Sequence, residues 1–349
     1  MARARTETHL VRRFAAVVPV PVDGDADGDA GRSVGCQADA DEPASVTPST
    51  GSAATSATNC ATAPATADSP ERAIEVADLG RRPEAVLVEE PLEIRVDAAT
   101  VNTTMRTPGH DYELAAGWCH AEGILDGASI RGIRYCATGS AVDSGFNIVT
   151  VDTVGRAVAP EPRLTPTTSS CGICGNDAVD ALTERLQPLA NGPLLGAAVI
   201  AALSGLVAGR QELFDLTGAS HAAAAIDADG DVVVVREDIG RHNAVDKVVG
   251  RLLLDGALPA TGQVLWVSGR ASFEMVQKAW AGGFAALVSV SAPSSLAVRT
   301  AERAGLVLIG FSRSARFTVY AGAERFSGAE PAEVVAGDPS VSKGVGEDG

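Results

Sequence analysis

Two cysteines separated by two residues are the strongest chemical signal in the sequence. Cys171 and Cys174 lie in residues 169–175, Ser-Ser-Cys-Gly-Ile-Cys-Gly, which we call the cysteine segment. Six cysteines in 349 residues are too few for a disulfide framework, so a close pair predicts redox, metal-binding or catalytic chemistry. The other four are interpreted as packing or tail residues: Cys36, Cys60, Cys119 and Cys136.

Zinc binding is the first chemistry to consider for this pair. Zinc deaminases carry H-x-E followed later by P-C-x-x-C, and residues 120–122, His-Ala-Glu, precede the cysteine segment. However, Ser170 stands where that pattern has proline, and His120 is predicted at the end of a helix rather than at its start. A structural zinc site needs two further ligands, and none has metal-binding spacing. A zinc deaminase is therefore a disfavoured alternative.

Two other chemistries fit the same residues. In thiol-disulfide exchange, a thiolate at a helix N-terminus is stabilised by the helix dipole, and a helix is predicted over 178–186. In sulfur carriage, a thiolate accepts a sulfur atom as a persulfide and delivers it to an acceptor. Gly172 and Gly175 predict a mobile, exposed loop, which suits a cysteine that moves between partners. The residue types leave both chemistries open.

Polar residues follow four predicted strands at the points where the strands end. Because ligands of open α/β sheets bind outside the carboxyl ends of the strands, we expect residues 236–243, 268–270, 291–294 and 312–313 to form one strand-end rim. His242 is a candidate base or helix cap there, and His221 is interpreted as a core or turn residue. Arginines in an acidic chain predict an anionic ligand such as a pyrophosphate: Arg236, Arg241, Arg270, Arg313 and Arg316.

The elements that must position these residues follow from hydrophobic periodicity. From residue 222 onward strands alternate with helices, which predicts a mostly parallel sheet covered on both faces. Residues 227–230, Asp-Ala-Asp-Gly, predict a hairpin turn. Strands are predicted over 85–90, 92–96, 130–135, 147–151, 222–226, 231–235, 263–267, 285–290, 306–309 and 317–320, and helices over 111–122, 178–186, 194–206, 244–254, 273–280 and 296–304.

Composition divides the chain into four regions. Residues 1–70 contain few large apolar groups and are predicted to be a disordered tail, as are residues 331–349. Residues 71–165 are predicted to form a small α+β domain. Residues 166–330 are predicted to form an α/β domain that carries the cysteine segment and the strand-end rim.

Charge and hydropathy exclude several classes of protein. The net charge of −16 argues against a nucleic-acid-binding protein, which needs a basic face. The sequence contains no run of 18 apolar residues, so no transmembrane helix is predicted. The apolar stretch over 14–20 is too short for a signal peptide. We therefore expect a cytoplasmic protein.

Three long motifs resemble the FdhD family, the formate dehydrogenase accessory sulfurtransferases. They are the cysteine segment, residues 236–247 (Arg-Glu-Asp-Ile-Gly-Arg-His-Asn-Ala-Val-Asp-Lys) and residues 268–278 (Ser-Gly-Arg-Ala-Ser-Phe-Glu-Met-Val-Gln-Lys). Residues 291–293 and 316–320 are also similar to the family, and the likeness runs from about residue 81 to 325. Ala219, where the family usually has glycine, and the tail over 1–70 depart from the pattern.

The resemblance implies both a fold and a function. The fold would be a cytidine-deaminase-like three-layer α/β domain with a smaller α+β N-terminal domain, assembled as a homodimer. The function would be to carry persulfide sulfur from a cysteine desulfurase to molybdenum bis(molybdopterin guanine dinucleotide), the bound substrate, before its insertion into formate dehydrogenase. No metal of its own is implied.

The resemblance also assigns residues to roles. Cys171 would hold the persulfide and Cys174 would assist or share it. The stretch that matches the family's cofactor-binding residues consists of Phe317, Thr318, Val319, Tyr320, Ala321 and Gly322. The rim residues expected to bind the cofactor's pyrophosphates and guanines are Arg236, Arg241, His242, Ser268, Gly269 and Arg270. The competing interpretation is a cofactor-binding chaperone in which the cysteines are incidental.

Overall fold

The computed structural model describes residues 4–17, 75–136, 140–155, 157, 180, 184–190, 196–313 and 316–325. The cysteine segment and most of the predicted helix over 178–186 lie outside these residues. The described residues within 4–9 and 83–325 belong to one compact unit, and those within 10–17 and 75–82 belong to a second. The prediction of a disordered tail is wrong for β1 (Thr6–Val17), which pairs with β2 (Glu75–Leu87). Hydrogen bonding between the backbones of β1 and β2 forms a strand that the composition of this segment does not predict.

A four-stranded sheet follows, with one face covered by a helix. The strand order is β4-β3-β6-β5. Residues Leu92 and Ile94 of β3 and Val149 of β6 are fully buried together with Leu114 of the covering helix, so the apolar positions of β3 face that helix. The elements are β3 (Glu90–Val96), β4 (Ala99–Arg106), α1 (Asp111–Ala121), β5 (Gly132–Tyr135) and β6 (Ile148–Asp152).

The larger part of the chain builds a six-stranded sheet with helices on both faces. Val248, Met275 and Ala301 lie in the core beneath three helices on one face. Leu203 and Trp266 lie in the core beneath a single helix on the other. The helices are α2 (Ala197–Ala208), α3 (Glu212–Thr217), α4 (Arg241–Leu254), α5 (Phe273–Ala281) and α6 (Ser295–Ala304), and the strands are β7 (His221–Ile226), β8 (Val232–Asp238), β9 (Val264–Val267), β10 (Ala286–Ser289), β11 (Val307–Arg313) and β12 (Arg316–Ala321).

The order of this sheet is β12-β11-β10-β9-β7-β8. Strands β9, β10 and β11 are parallel, whereas β7 pairs antiparallel with both β8 and β9, and β12 pairs antiparallel with β11. The sheet is therefore mixed: four strands run in one direction as predicted, but β7 and β12 run in the opposite direction, because the chain reverses at β7–β8 and β11–β12. Coverage on both faces is confirmed. The specific cytidine-deaminase-like topology stays a prediction.

Helices α1 and α4 connect the two sheets through a close backbone contact. A methyl group added to Gly117 would collide with the carbonyl of Asp246, and one added to Gly250 would collide with the carbonyl of Glu113. Each glycine therefore allows the other helix to approach more closely than any larger residue would. No helix in the described part of the chain is long and apolar enough to cross a membrane.

Candidate functional site

The strand directions bring the predicted strand ends to one edge of the six-stranded sheet. Strand β8 is antiparallel to β7, which is antiparallel to β9, so β8 runs in the same direction as β9, β10 and β11. The carboxyl ends of these four strands share an edge with the first residues of β7 and β12, His221 and Arg316. The strand-end rim is thus one edge of the sheet, and His221, interpreted from the sequence as a core or turn residue, also lies there.

The centre of the rim is a contact between β7, β9 and α4. The Oγ of Ser268 lies 3.4 Å from His221 Nδ1 and accepts a hydrogen bond of 2.9 Å from the N–H of Ala222. A Cβ on Gly269 would lie 3.3 Å from Arg241 Cδ and 3.6 Å from His221 Nδ1. The glycine at this position therefore lets a histidine and an arginine pack against the same backbone.

Charge at the centre of the rim is positive. Burial, together with the nearby Arg241 and His242, lowers the pKa of His221, so its imidazole is neutral at pH 7. Arg241 Nε is buried and has no hydrogen-bond partner among the described residues. Because guanidinium groups bind phosphates through several donors, this arrangement favours an anionic ligand.

Two helices begin at the rim, and their dipoles contribute to the electrostatic field there. Helix α4 starts after Gly240 and α5 after Ser272, and neither residue caps its helix with a side-chain hydrogen bond. The positive end of a helix dipole attracts anions. Helix α5 carries Glu274 in its first turn, and this carboxylate accepts a hydrogen bond from its own backbone N–H, so α4 is the helix start that reinforces the charge of Arg241.

Helices α4 and α5 are joined by two successive side-chain pairs that lead inward from the rim. His242 Nε2 lies 3.8 Å from Glu274 Oε2, and its proximity lowers the pKa of Glu274 to about 2 despite burial. One turn further along both helices, Lys278 Nζ donates to Asp246 Oδ1 at 2.7 Å. Both members of this second pair are almost completely buried. The pairs fix the two helix starts relative to each other.

A buried carboxylate locks the loop before α4 to the end of β4. Asp238 Oδ1 accepts hydrogen bonds from Gly240 N–H (2.8 Å) and Asn243 Nδ2 (3.0 Å), and Oδ2 accepts from Thr107 N–H (3.1 Å) and lies 2.6 Å from Lys247 Nζ. Asp238 and Lys247 are fully buried. Sequence periodicity does not predict this contact, because Thr107 and Asp238 lie 131 residues apart in the chain.

The remaining predicted arginines differ from Arg241. Arg236 is bound to Glu113, with Nε at 2.5 Å and Nη2 at 2.8 Å from its two carboxylate oxygens, and its Nη1 donates to the carbonyl of Val235. Its donors therefore face α1 rather than the centre of the rim. Arg270 is exposed at the rim, and Arg313 and Arg316 are exposed and face each other across β11 and β12.

The stretch predicted to bind the cofactor forms edge strand β12. Phe317 and Val319 pack on the core beneath α2, and Tyr320 packs on the opposite core, where a Cβ on Gly310 would lie 2.9 Å from its ring. Thr318 is exposed. Ala321 is buried, and Gly322 adopts φ of 76°, which favours glycine.

The structure describes the chain close to Cys171 and Cys174 but not the cysteines themselves. On the C-terminal side, Asp180 lies 3.3 Å from Arg303 at the end of α6, and Leu189 N–H donates to the carbonyl of Ala304 at 2.8 Å. Because α6 ends just before β11 begins, these anchors lie at the edge of the sheet opposite the strand-end rim. Where the cysteine segment lies stays a prediction.

His120, the histidine of the H-x-E pattern, makes a hydrogen bond within the fold. Its Nε2 donates to the carbonyl of Ala281 at 2.9 Å, and burial lowers its pKa. No group of three or more ligating side chains occurs among the described residues. The geometry of His120 is therefore that of a structural histidine that joins α1 to α5.

Comparison with known proteins gives consistent results. The model of the FdhD/NarQ family matches residues 87–327, which include both sheets and the cysteine segment. Proteins named sulfur carrier protein FdhD are similar to this chain: that of Mycolicibacterium paratuberculosis is 46% identical over 251 residues, 70% of this chain and 92% of the relative. That of Streptomyces coelicolor is 47% identical over 253 residues, 70% of this chain and 89% of the relative. A crystal structure described as a formate dehydrogenase accessory protein, from Desulfotalea psychrophila, has a TM-score of 0.58 and 27% identity, covering 71% of this chain and 94% of that one.

Proposed function

The chain belongs to the FdhD/NarQ family, and on that premise we propose that it is a sulfur carrier whose Cys171 takes up sulfur as a persulfide. The donor is a cysteine desulfurase, and the acceptor is molybdenum bis(molybdopterin guanine dinucleotide), bound as substrate before its insertion into formate dehydrogenase. The chain acts as a homodimer in the cytoplasm, where six cysteines with no disulfide framework remain reduced.

The observation that carries the proposal is a cationic strand-end rim in the same matched region as the cysteine pair. The rim contains Arg241, whose buried Nε has no partner among the described residues, beside two helix starts. The matched region, residues 87–327, also contains Cys171 and Cys174. A carrier that delivers sulfur to a substrate with pyrophosphate groups needs both features.

The uptake step balances without an external oxidant or reductant. The Cys171 thiolate attacks the terminal sulfur of the persulfide on the donor. A new S–S bond forms on Cys171 as the donor's S–S bond breaks, and the donor cysteine leaves as a thiolate. Cys174, three residues further along, can accept the same sulfur by the same exchange, which is the role that we assign to it.

The rim holds the substrate through its anionic groups. Arg241 and the N–H groups that begin α4 bind pyrophosphate oxygens. Arg270 adds an exposed cation, and neutral His221 together with Ser268 offers hydrogen bonds to uncharged polar atoms of the substrate. Of residues 317–322, Phe317 and Thr318 follow Arg316 next to the rim, whereas Ala321 pairs with Leu308 near the start of β11, toward the opposite edge of the sheet. Arg236 contributes by fixing β8 to α1 through Glu113.

Formate dehydrogenase activity in cells that lack this protein tests the proposal. Expression of the unchanged chain is expected to restore activity, and Cys171→Ala is expected to abolish the restoration because no thiolate remains to take up sulfur. Cys136→Ala, which removes a buried cysteine of the small-sheet region, is the matched control and is expected to restore activity. Full restoration by Cys171→Ala would instead support a cofactor-binding chaperone, which the cationic rim alone would favour.

A further inference from the structure

A groove lies along the outer side of β8, away from the centre of the strand-end rim. It encloses about 360 Å³ and is lined by residues Val233 to Arg236 of β8 on one side. The other side consists of Arg251 and Leu252 near the end of α4, with Asp255 following, and Arg210 lies at the margin. We call it the arginine groove.

The arginine groove has an excess of positive charge on an acidic protein. Three of its lining residues are arginines and one is an aspartate, whereas the whole chain carries 28 basic and 44 acidic residues. Arg236 is bound by Glu113, so it contributes little free charge. Arg210 is exposed, and Arg251 is 47% exposed. The Nε of Arg251 bonds Asp255, and its Nη1 lies 3.9 Å from Oε1 of Glu113. Three arginines therefore lie beside two carboxylates, which leaves an excess of one positive charge.

Strand β8 is the last strand of the sheet, yet its backbone is covered in part. Arg210 Nη1 donates to the carbonyl of Val232 at 2.9 Å, and Arg236 Nη1 donates to that of Val235 at 2.8 Å. Side chains that occupy edge carbonyls hinder the addition of a further strand. A ligand of the arginine groove is therefore recognised through side chains rather than through β-sheet hydrogen bonds.

Length and apolar surface describe the ligand further. Residues Val233 to Arg236 extend over about 13 Å at about 3.3 Å per residue, which is too long for a single small anion and suits an extended segment of about four residues. Val233 is 50% exposed in this groove and offers an apolar contact. We propose that the arginine groove binds an extended acidic segment of a protein partner, with carboxylates on Arg210 and Arg251 and an apolar side chain on Val233.

This inference goes beyond the proposed function and does not depend on it. Neither Arg210 nor Arg251 belongs to the strand-end rim or to the cysteine segment. Failure of the groove to bind peptide would leave sulfur uptake by Cys171 untouched, and a chain that carries no sulfur could still bind an acidic segment here. The two claims are therefore tested separately.

Fluorescence anisotropy of a labelled peptide of alternating Asp and Val residues tests the inference on the full chain. We expect saturable binding that weakens as salt rises from about 0.05 M to about 0.5 M, because exposed ion pairs are screened. The double variant Arg210→Gln with Arg251→Gln is expected to bind at least about fivefold more weakly, since each exposed pair contributes only modestly. The variant Arg299→Gln, which removes an exposed arginine of α6, is the matched control and is expected to bind normally.

Three results would overturn the inference. The first is unchanged binding by the double variant when its unfolding temperature is also unchanged. The second is equal binding of a peptide of alternating Lys and Val residues, which would show that the groove does not recognise the carboxylates of the peptide. The third is displacement of the acidic peptide by inorganic phosphate at equal concentration, which would show a small-anion site instead.

Discussion

Gly269 controls the contact between Arg241 and His221 at the rim. The Gly269→Ala substitution places a Cβ 3.3 Å from Arg241 Cδ, so the arginine must move by a few tenths of an ångström. We expect the affinity for GDP, used as a probe of the proposed guanine nucleotide site, to fall by about threefold to tenfold while the unfolding temperature changes little. Isothermal titration calorimetry measures this.

Gly132→Ala is the matched control, because nothing lies within 4 Å of its added Cβ. It is expected to leave GDP affinity unchanged. Equal GDP affinity for Gly269→Ala and the unchanged chain would show that Arg241 does not belong to the nucleotide site.

The carboxylate of Glu113 links the stability of the fold to pH. Burial opposes its ionisation, but hydrogen bonds from Arg236 and His110 lower its pKa from 4.5 to about 2. A carboxylate with a lowered folded-state pKa adds stability above its unfolded pKa, and this stability is lost as pH falls. We expect the free energy of unfolding to decrease as the pH falls from about 4.5 to about 2. Urea denaturation at each pH measures this.

Glu113→Gln provides the comparison, because glutamine cannot titrate. Its free energy of unfolding should be lower at pH 7 and should vary less between pH 4.5 and pH 2 than that of the unchanged chain. An identical pH dependence in the two proteins would show that Glu113 is not stabilised by its cationic partners.

At the level of elements, helices with a long apolar stripe are predictable and short elements held by distant groups are not. The sequence predicts α1, α4, α5 and α6 almost to their ends, because their apolar residues recur every three or four positions. Helix α3 is missed, because it depends on a distant residue. Glu237 of β8 accepts hydrogen bonds from the N–H groups of Leu213 and Phe214 at the start of this helix. Strand β4 is missed, because it has few apolar residues and gains its order by pairing with β3.

The crossing of α1 and α4 depends on two glycines. The Gly250→Ala substitution would place a methyl group against the carbonyl of Glu113, in rigid backbone. Overpacking of this kind costs about 1–3 kcal/mol, so we expect the free energy of unfolding to fall by about that amount. Chemical denaturation measures the change.

Gly205→Ala in α2 serves as the control. Nothing lies within 4 Å of its added Cβ, and alanine favours a helix interior by about 0.5–1 kcal/mol over glycine. It is expected to be neutral or stabilising. If Gly250→Ala were as stable as Gly205→Ala, the close contact of α1 with α4 would be incorrect.

At the scale of the whole molecule, the sequence predicts where the candidate site is better than what each residue does there. The strand-end rim follows from the alternation of strands and helices, because strand ends of one direction meet at one edge. The distinction between Arg241 and Arg236 does not follow, because Glu113, which binds Arg236, lies 123 residues away. The mixed strand order is also not predicted, since it depends on how β7 and β12 pair.

Intact-protein mass spectrometry shows whether Cys171 carries sulfur. The chain is incubated with a cysteine desulfurase and cysteine, and its mass is compared with that of Cys171→Ala and of Cys136→Ala treated in the same way. We expect the mass of one or more added sulfur atoms on the unchanged chain and on Cys136→Ala, removed by a reducing agent, and a large loss of that signal on Cys171→Ala. No added sulfur on the unchanged chain, or equal added sulfur on Cys171→Ala, would contradict this expectation.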